Sequence, residues 1–414
     1  MEALIAENQK PALVFICQRL PYAPVTGELI TTFNMVRHLA RDYRVFVGTF
    51  IDDPADRVHV AELEKMVTGL HVSTRIRPWP WIRALPFWLA GQPISFALFK
   101  SRSLERWLDA VESNHRPVAV VTHSSNVSTY AVDGFRRTHN AGPKRVLHFA
   151  DVDSEKFVAY AERARGLMKW IVRAEARRVR QQEFRLTSRA DAVAFVSDDE
   201  ANLFRSLLHS HQERVVTLPN GVDTELFDPG RSFDAPFRCN GHAFVFTGAM
   251  DYRPNIEAVK WFAREVFPGV KKALPNAQFL IVGSKPGAEV RRLGDDPSVV
   301  VTGRVESVAA YVAHAQVAVA PLLIARGIQN KVLEAMSMAK PQVVSPGALA
   351  GIDAVPGTHL VCAKTPQEWV KACVELSLDP VRGTAMGRAA RQLVLERYSW
   401  PAQLERLDQL LNRP

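Results

Sequence analysis

Gly327-Ile328-Gln329-Asn330-Lys331-Val332-Leu333-Glu334-Ala335-Met336-Ser337-Met338-Ala339-Lys340-Pro341-Gln342-Val343-Val344 reads as a glycine turn, a short amphipathic helix and a buried strand. The run before it, Gln316 to Pro321, is apolar and β-prone, so the unit is strand, turn, helix, strand. A helix that opens on a glycine turn presents unpaired N–H groups and the positive end of its dipole, which suits a phosphate. Lys331 lies in the first turn and reaches toward the same anion, and Glu334 follows three residues later on the same face. A carboxylate there can accept from two sugar hydroxyls, so the pair points to a nucleotide, lysine on phosphate and glutamate on ribose. The plainer alternative is a solvated i,i+3 ion pair on a common type of turn.

Outward from this unit, apolar strand-like runs alternate with helical patterns almost throughout, the grammar of parallel α/β sheets. The expected strands of the first half are Leu13–Cys17, Arg44–Phe50, Val72–Ile76, Val118–Thr122, Val146–Phe149, Ala192–Val196 and Val215–Leu218. A second series runs Phe244–Thr247, Phe279–Val282, Val299–Thr302, Val317–Ala320, Val343–Ser345 and His359–Cys362. Between them lie the turn cluster Pro219-Asn220-Gly221-Val222-Asp223 and an aperiodic stretch, Phe227 to Gly241. Two such series predict two doubly wound domains facing each other across a cleft, with ligands at the strand ends.

The 414 residues exceed what one core usually supports, which agrees with two domains. No apolar run approaches the roughly 18–20 residues of a membrane-spanning helix. The N-terminal Glu2 and Glu7 do not read as a secretory signal. Cys17, Cys239, Cys362 and Cys373 form no C-x-x-C pair, which argues against a disulfide framework or a zinc site and fits the cytoplasm. The net charge of +9 favours an anionic partner: nucleic acid, anionic lipid or a phosphorylated substrate.

Two segments depart from the α/β rhythm. Arg75 to Trp107 holds four of the eight tryptophans, Trp79, Trp81, Trp88 and Trp107, interleaved with arginines and lysine. Such a block suits a membrane interface or a greasy phosphorylated acceptor; it is also what an aromatic core segment looks like. Asp153 to Arg189 reads as one long helix, with nine Lys/Arg against Glu175 and Glu183 from Arg163 onward. The bias favours an anionic surface over a merely solvated face.

Further segments join the opening motif. Phe246-Thr247-Gly248-Ala249-Met250-Asp251-Tyr252-Arg253-Pro254-Asn255-Ile256 is a strand, a glycine loop and a helix start. Leu280-Ile281-Val282-Gly283 and Val301-Thr302-Gly303-Arg304-Val305 each end a strand in glycine. With Leu333-Glu334-Ala335-Met336, this ordered set, spanning about Leu13 to Tyr398, closely resembles glycosyltransferase family 4, the retaining nucleotide-sugar enzymes of the GT-B fold. Asp151-Val152-Asp153-Ser154-Glu155-Lys156 and Arg326-Gly327-Ile328-Gln329-Asn330-Lys331 resemble most the bacterial sugar transferases of exopolysaccharide and exosortase loci.

The resemblance implies two Rossmann-like domains: an acceptor-side domain over 1–225, and a nucleotide-sugar domain over 226–397. It also implies a final helix of about 398–414 that packs back on the first. The family's first glycine loop is here Thr26-Gly27-Glu28, and its histidine near the transferred sugar matches His123. The loop after the first strand of the second domain matches Gly248 to Asn255, where Ala249 and Pro254 replace the usual cations and Arg253 becomes the expected partner of the diphosphate. Gly303-Arg304-Val305 matches the turn that holds the base through backbone groups. Gly327 and Ile328 precede the phosphate-binding helix terminus, Lys331 supplies charge, and Glu334 matches the ribose ligand. His123, Arg253 and Lys331 are the expected catalytic residues. The other glutamate of the family's E-x7-E pair is Arg326 here, which leaves donor sugar identity open.

Asp151-x-Asp153 has the spacing of a metal-binding pair, but it precedes a helix, where Asp and Ser cap free N–H groups. The twelve histidines show no H-x-x-x-H pair, so a zinc site is not expected. The resemblance to two-domain GT-B enzymes implies that no metal is needed and that the nucleotide-sugar serves as co-substrate without a further cofactor. The implied acceptor is polyprenyl-diphosphate-linked or another glycan. The implied setting is cytoplasmic, peripheral on the inner face of the plasma membrane with its anionic surface, and without nucleic acid. A nucleotide-sugar epimerase, or a non-catalytic GT-B protein binding anionic lipid or nucleotide, are the alternatives.

Overall fold

The computed structural model describes residues 10–22, 27–75, 86–135, 142–238, 241–323 and 328–412. Thr26, Trp79, Trp81, Cys239, Arg326 and Gly327 lie outside the described residues. The chain forms two compact units, Met1–Asn220 with Gln403–Pro414, and Gly221–Ala402.

The first unit is built on a seven-stranded sheet of order β3-β2-β1-β4-β5-β6-β7. Its strands are β1 (Ala12–Cys17), β2 (Arg44–Ile51), β3 (Gly69–Thr74), β4 (Ala119–His123), β5 (Lys144–Ala150), β6 (Ala192–Phe195) and β7 (Val215–Thr217). Every pairing is parallel. All six residues of β1 are buried, as expected of a central strand covered on both faces, and this is why it reads as a continuous apolar run rather than an alternating one. β3 starts earlier than the expected Val72, because Gly69 can lie under the Phe46 ring; a Cβ there would meet it at 2.8 Å.

The second unit carries a six-stranded parallel sheet of order β10-β9-β8-β11-β12-β13. Its strands are β8 (Ala243–Thr247), β9 (Gln278–Val282), β10 (Val299–Gly303), β11 (Val317–Ala320), β12 (Gln342–Val344) and β13 (Val361–Cys362). Alternate residues of β8 serve different cores: Phe244 and Phe246 pack with Phe279, Ile281 and Trp369, whereas Ala243 and Val245 pack with Leu280 and Ala318 on the other face. Phe227 to Arg238, expected from its irregular sequence to separate the domains, runs along this second core, into which Phe227 is buried. Both sheets follow the doubly wound order, reversing direction beside β1 and β8, and ligands of such sheets sit at the carboxyl ends of the strands where that reversal occurs.

The expected single helix from Asp153 to Arg189 is two helices, Asp153–Arg163 and Gly166–Arg189. Gly166 at φ 58 takes the left-handed conformation that ends a helical run, and the two pieces fold back on each other. Glu155 pairs with Arg180, and Ser154 N–H donates to Glu183 Oε1 at 3.1 Å, which places the hairpin antiparallel. The two glutamates of this basic stretch are therefore helix caps. Glu183 receives the Ser154 N–H, and Glu175 receives the N–H groups of Ile94 and Ser95 at 3.0 and 2.9 Å. Asp153, expected to cap, makes no such bond. Burial lifts the Glu183 carboxyl to about 7. Among the described residues, no helix is long and apolar enough to cross a membrane.

Candidate functional site

In the second unit, three glycine-ended strands meet at the carboxyl edge of the sheet. Gly248, after β8, has φ 152, and a Cβ on it would lie 2.7 Å from Asn255 Nδ2 and 3.3 Å from Lys331 Cε. Its lack of a side chain is what lets those two groups close over the loop. Gly283, after β9, stands so close that a Cβ would come 1.7 Å from the Gly248 carbonyl oxygen. Gly283 N–H in turn donates to Gly303 O at 3.2 Å, linking the end of β10.

The Asn330–Ser337 helix begins at this edge with Gln329 as its N-cap and no side-chain capping bond. Val332 N–H donates to Gln329 O at 2.9 Å, which leaves the N–H groups of Asn330 and Lys331 for a ligand at the positive end of the helix. Lys331 Nζ donates to Asn255 Oδ1 at 3.1 Å and lies 5.3 Å from the centre of the Phe246 ring, while Asn255 Nδ2 donates to Ala249 O at 2.9 Å. Asn255 thereby fixes both the glycine loop and the lysine. In the sequence Asn255 is only the end of the loop from Gly248; its position in the first turn of the helix Arg253–Trp261 is the one signal of this role.

Burial dominates the electrostatics here. It lowers the Lys331 amine to about 8, partly opposed by Glu334. It raises the Glu334 carboxyl to about 7, partly opposed by Lys331. A desolvated amine and a desolvated carboxyl, one turn apart, gain most from a ligand bearing an anion and hydroxyl groups.

The remaining expected residues divide. Arg253, expected to face the diphosphate, is 88% exposed at its side chain and binds Glu257 Oε1 at 2.7 Å instead, as an i,i+4 pair along its own helix. Arg304 is exposed, Val305 packs on the core face that holds Phe227, and Gly303 has φ 71. Ile328 packs on the larger core.

In the first unit, Gly27 opens the helix Gly27–Leu39. His123 ends β4 and is 4% exposed; its register neighbour His148 on β5 is 1% exposed, with ring centroids 4.9 Å apart. This second histidine was visible in the sequence only as part of a strand, because the pairing depends on β4 lying beside β5. His123 Nδ1 and both nitrogens of His148 are buried with no hydrogen-bond partner among the described residues. Backbone strain flanks the pair: Ser124 at φ 88 and Ala150 at φ 70 are non-glycine residues in the left-handed region, at about 1–3 kcal/mol each.

Burial drives His123 far below the usual imidazole range, with the neighbouring His148 adding to it, and brings His148 down to about 4. Folded rings therefore bind fewer protons than unfolded ones below about pH 6.5. The first unit should lose stability as pH falls from 6.5 toward 4, read as a falling melting temperature. His148→Phe should flatten that acid limb; a limb unchanged in the variant would show that the pair is not its cause.

Beside the histidines, Lys156 binds Asp151 at 2.8 Å and Asp153 at 3.1 Å, and Ser125 donates to Asp153 as well. The D-x-D pair is thus bridged by one lysine, which offsets one of its two charges. Although burial opposes its charge, the two aspartates hold the Lys156 amine above its ordinary range. Glu28 in the first turn of its helix is lifted by burial. Among the described residues, no three His, Cys, Asp or Glu side chains gather as a metal site.

Residues 28–226 match the family described as Glycosyltransferase Family 4, and residues 241–379 the one described as Glycosyl transferases group 1. A curated relative, the GDP-mannose-dependent monoacylated alpha-(1-6)-phosphatidylinositol monomannoside mannosyltransferase of Corynebacterium glutamicum, is 29% identical over 247 residues. That match covers 56% of this chain and 65% of the relative, so the chain spans a little under two thirds of its length. Among solved structures, sucrose-phosphate synthase from Thermosynechococcus elongatus aligns at 18% identity with a TM-score of 0.63, covering 96% of this chain and 98% of that one. HepE of Anabaena in complex with UDP aligns at 14% identity with a TM-score of 0.61, covering 97% and 99%. These likenesses are of fold, and the fold is GT-B. With that fold carried by two sheets of doubly wound order, and with both halves matched in sequence, the chain belongs to glycosyltransferase family 4.

Proposed function

We propose that this protein transfers a sugar from a nucleotide diphospho-sugar to an acceptor hydroxyl with retention, in the assembly of exopolysaccharide or another cell-surface glycan. The observation that carries the reading is the half-buried Lys331–Glu334 pair: Lys331, on the first turn of a helix without a side-chain cap, is held over Gly248 by Asn255, and Glu334 lies one turn further on. Lys331 and the free N–H groups of that turn take the diphosphate, and Glu334 takes the ribose hydroxyls. As the glycosyl bond breaks, negative charge grows on the departing diphosphate, so a cation fixed beside it stabilises the transition state more than the ground state. Same-face attack by the acceptor hydroxyl, assisted by the departing phosphate oxygen, gives retention without a protein nucleophile. To His123, buried at the end of β4, we assign the side of the transferred sugar, on its match to the family's histidine. The charge on the leaving group is met by lysine and backbone rather than by a divalent ion, so EDTA should leave activity unchanged.

Two relatives bear on the substrates. The mannosyltransferase is named for GDP-mannose and a phosphatidylinositol-linked mannoside, and HepE was solved with UDP. A lipid-linked glycan, polyprenyl-diphosphate-linked or otherwise, is the acceptor class we favour. A thermal-shift screen against UDP, GDP, ADP and several of their sugars tests the donor half directly. One nucleotide should raise the melting temperature by mass action, by an amount that grows with its concentration. A folded protein that responds to none of them would overturn the transferase reading in favour of a non-catalytic binding protein.

A further inference from the structure

The helical hairpin of the first unit ends in a tip that its own core does not use. In the Gly166–Arg189 helix the first buried residue is Glu175, so more than two turns stand clear of the core. There Leu167 is 75% exposed, Met168 58% and Trp170 61%. Tyr160, on the last turn of the preceding helix, is 57% exposed, and Leu89 is 72% exposed. Trp88 meets Trp170 edge to face with centroids 6.3 Å apart, which joins Leu89 and the hairpin into one patch. Water-facing surfaces carry single apolar residues everywhere, but a cluster of large ones marks a contact.

Charge says what kind of contact. Trp170, Arg173 and Arg177 fall at i, i+3 and i+7 and share one stripe of the helix, with Arg165 and Lys169 beside them. The acidic side chain at this end is Glu162. Arg178 is already used: it lies 4.4 Å from the centre of the Trp88 ring and donates to Trp88 O at 2.6 Å, holding that tryptophan in place. The order along the hairpin is therefore an apolar, aromatic tip followed by a cationic collar. A protein partner would need a hollow of matching shape lined with acids. A bilayer supplies that order by itself, with acyl chains and then an anionic headgroup layer, where tryptophan and long cationic side chains lie at the boundary.

We propose that the hairpin tip is a membrane-docking surface, which inserts Leu167, Met168 and Trp170 into the interface of an anionic bilayer and sets Lys169, Arg173 and Arg177 on lipid phosphates. The inference deepens the lipid-linked-acceptor part of the proposed function and rests on that part for its purpose. It keeps only Trp88 and Leu89 of the expected Trp79–Trp107 block, in which Phe96 and Phe99 are buried core and Trp107 stacks on His71, and places the rest of the surface on the hairpin.

The test is co-sedimentation of the full chain with phosphatidylcholine vesicles, with and without roughly a third phosphatidylglycerol, across a salt series. Wild type should pellet with the mixed vesicles and not with the neutral ones, more weakly as salt rises. Combining Leu167→Ser, Met168→Ser and Trp170→Ser should lower the partition at least about tenfold at every salt concentration. Arg173→Glu with Arg177→Glu should also lower it and flatten the salt dependence. All five side chains are exposed, so both variants should melt as wild type does. Wild type left in the supernatant, or a triple serine variant that sediments like wild type, would overturn the proposal. So would wild type that self-associates without binding vesicles and a serine variant that is monomeric, since the patch would then cover a second copy. The nucleotide thermal shift, run on the same samples, separates the two readings: vesicle binding without any nucleotide shift sinks the transferase and leaves the docking surface standing.

Discussion

Lys331→Met is expected to weaken nucleoside-diphosphate binding about a hundredfold while leaving the protein as stable as wild type or more so. Removing one partner of a buried, hydrogen-bonded charge contact costs roughly 2–5 kcal/mol of binding, and about 3 kcal/mol corresponds to that factor. The stability half follows from the sign of the pKa shift. Lys331 is brought down to about 8, so the folded protein binds fewer protons than the unfolded chain between about pH 8 and 10.5. Its contribution to stability therefore rises with pH across that window, and at neutral pH the buried ammonium is a cost that methionine removes. Glu334 runs the other way. Brought up to about 7, it makes the fold less stable as pH rises from about 4.5 to 7. Wild-type affinity for the nucleotide should then be highest between about pH 7 and 8, where Glu334 is ionised and Lys331 still charged, and should fall on both sides. Calorimetric titration at several pH values, beside urea unfolding of both proteins, checks both statements. Unchanged affinity in the variant would remove Lys331 from the site.

Gly283→Ala should be the most damaging single methyl in the second unit. The added carbon would stand 1.7 Å from the Gly248 carbonyl oxygen and 2.7 Å from its carbon, which are backbone atoms that no rotamer change can move away. Relief requires β8 and β9 to part at their carboxyl ends, where Gly248 N–H donates to Val282 O at 3.0 Å and Met250 N–H to Ser284 O at 2.8 Å. Strain of this kind belongs to the upper tail of point substitutions, about 4 kcal/mol or more. The expected result is a second unit that unfolds at markedly lower urea, or fails to fold, while the first unit keeps its own transition. Gly287→Ala, where a Cβ meets nothing within 4 Å, is the control and should be nearly neutral. Equal midpoints for the two variants would mean that the strand ends are not held as described.

The strands were legible because a parallel sheet covered on both faces turns into unbroken apolar runs, and Val317–Ala320 was delimited to the residue. The hairpin was not. Its helical, arginine-rich pattern runs through Gly166 without a break, and the chain is turned back by extended backbone at Ala164 and Arg165 followed by the left-handed Gly166. Lys331 and Glu334 could be paired from their spacing, since both sit on one helix. Asn255, Gly283 and His148 could not, because each acts through a neighbour brought to it by strand order. Arg253 was placed from its distance along a motif, and the structure gives it a nearer partner one turn away, which spacing alone does not reveal.

The chain passes between its units twice, at 220–221 and again at 402–403. The closing helix Trp400–Asn412 thus begins with the second unit and ends with the first, where His38 binds Asp408 at 2.8 Å and Leu404 and Leu407 are buried. Order of synthesis is consequently the reverse of order of completion. The half begun first on the ribosome must wait, with part of its apolar surface uncovered, until the other has been made and residues 403–412 have emerged. A fragment ending at Asn220 should therefore aggregate where one spanning Gly221–Ala402 stays monomeric, and supplying Gln403–Pro414 in trans should rescue the former.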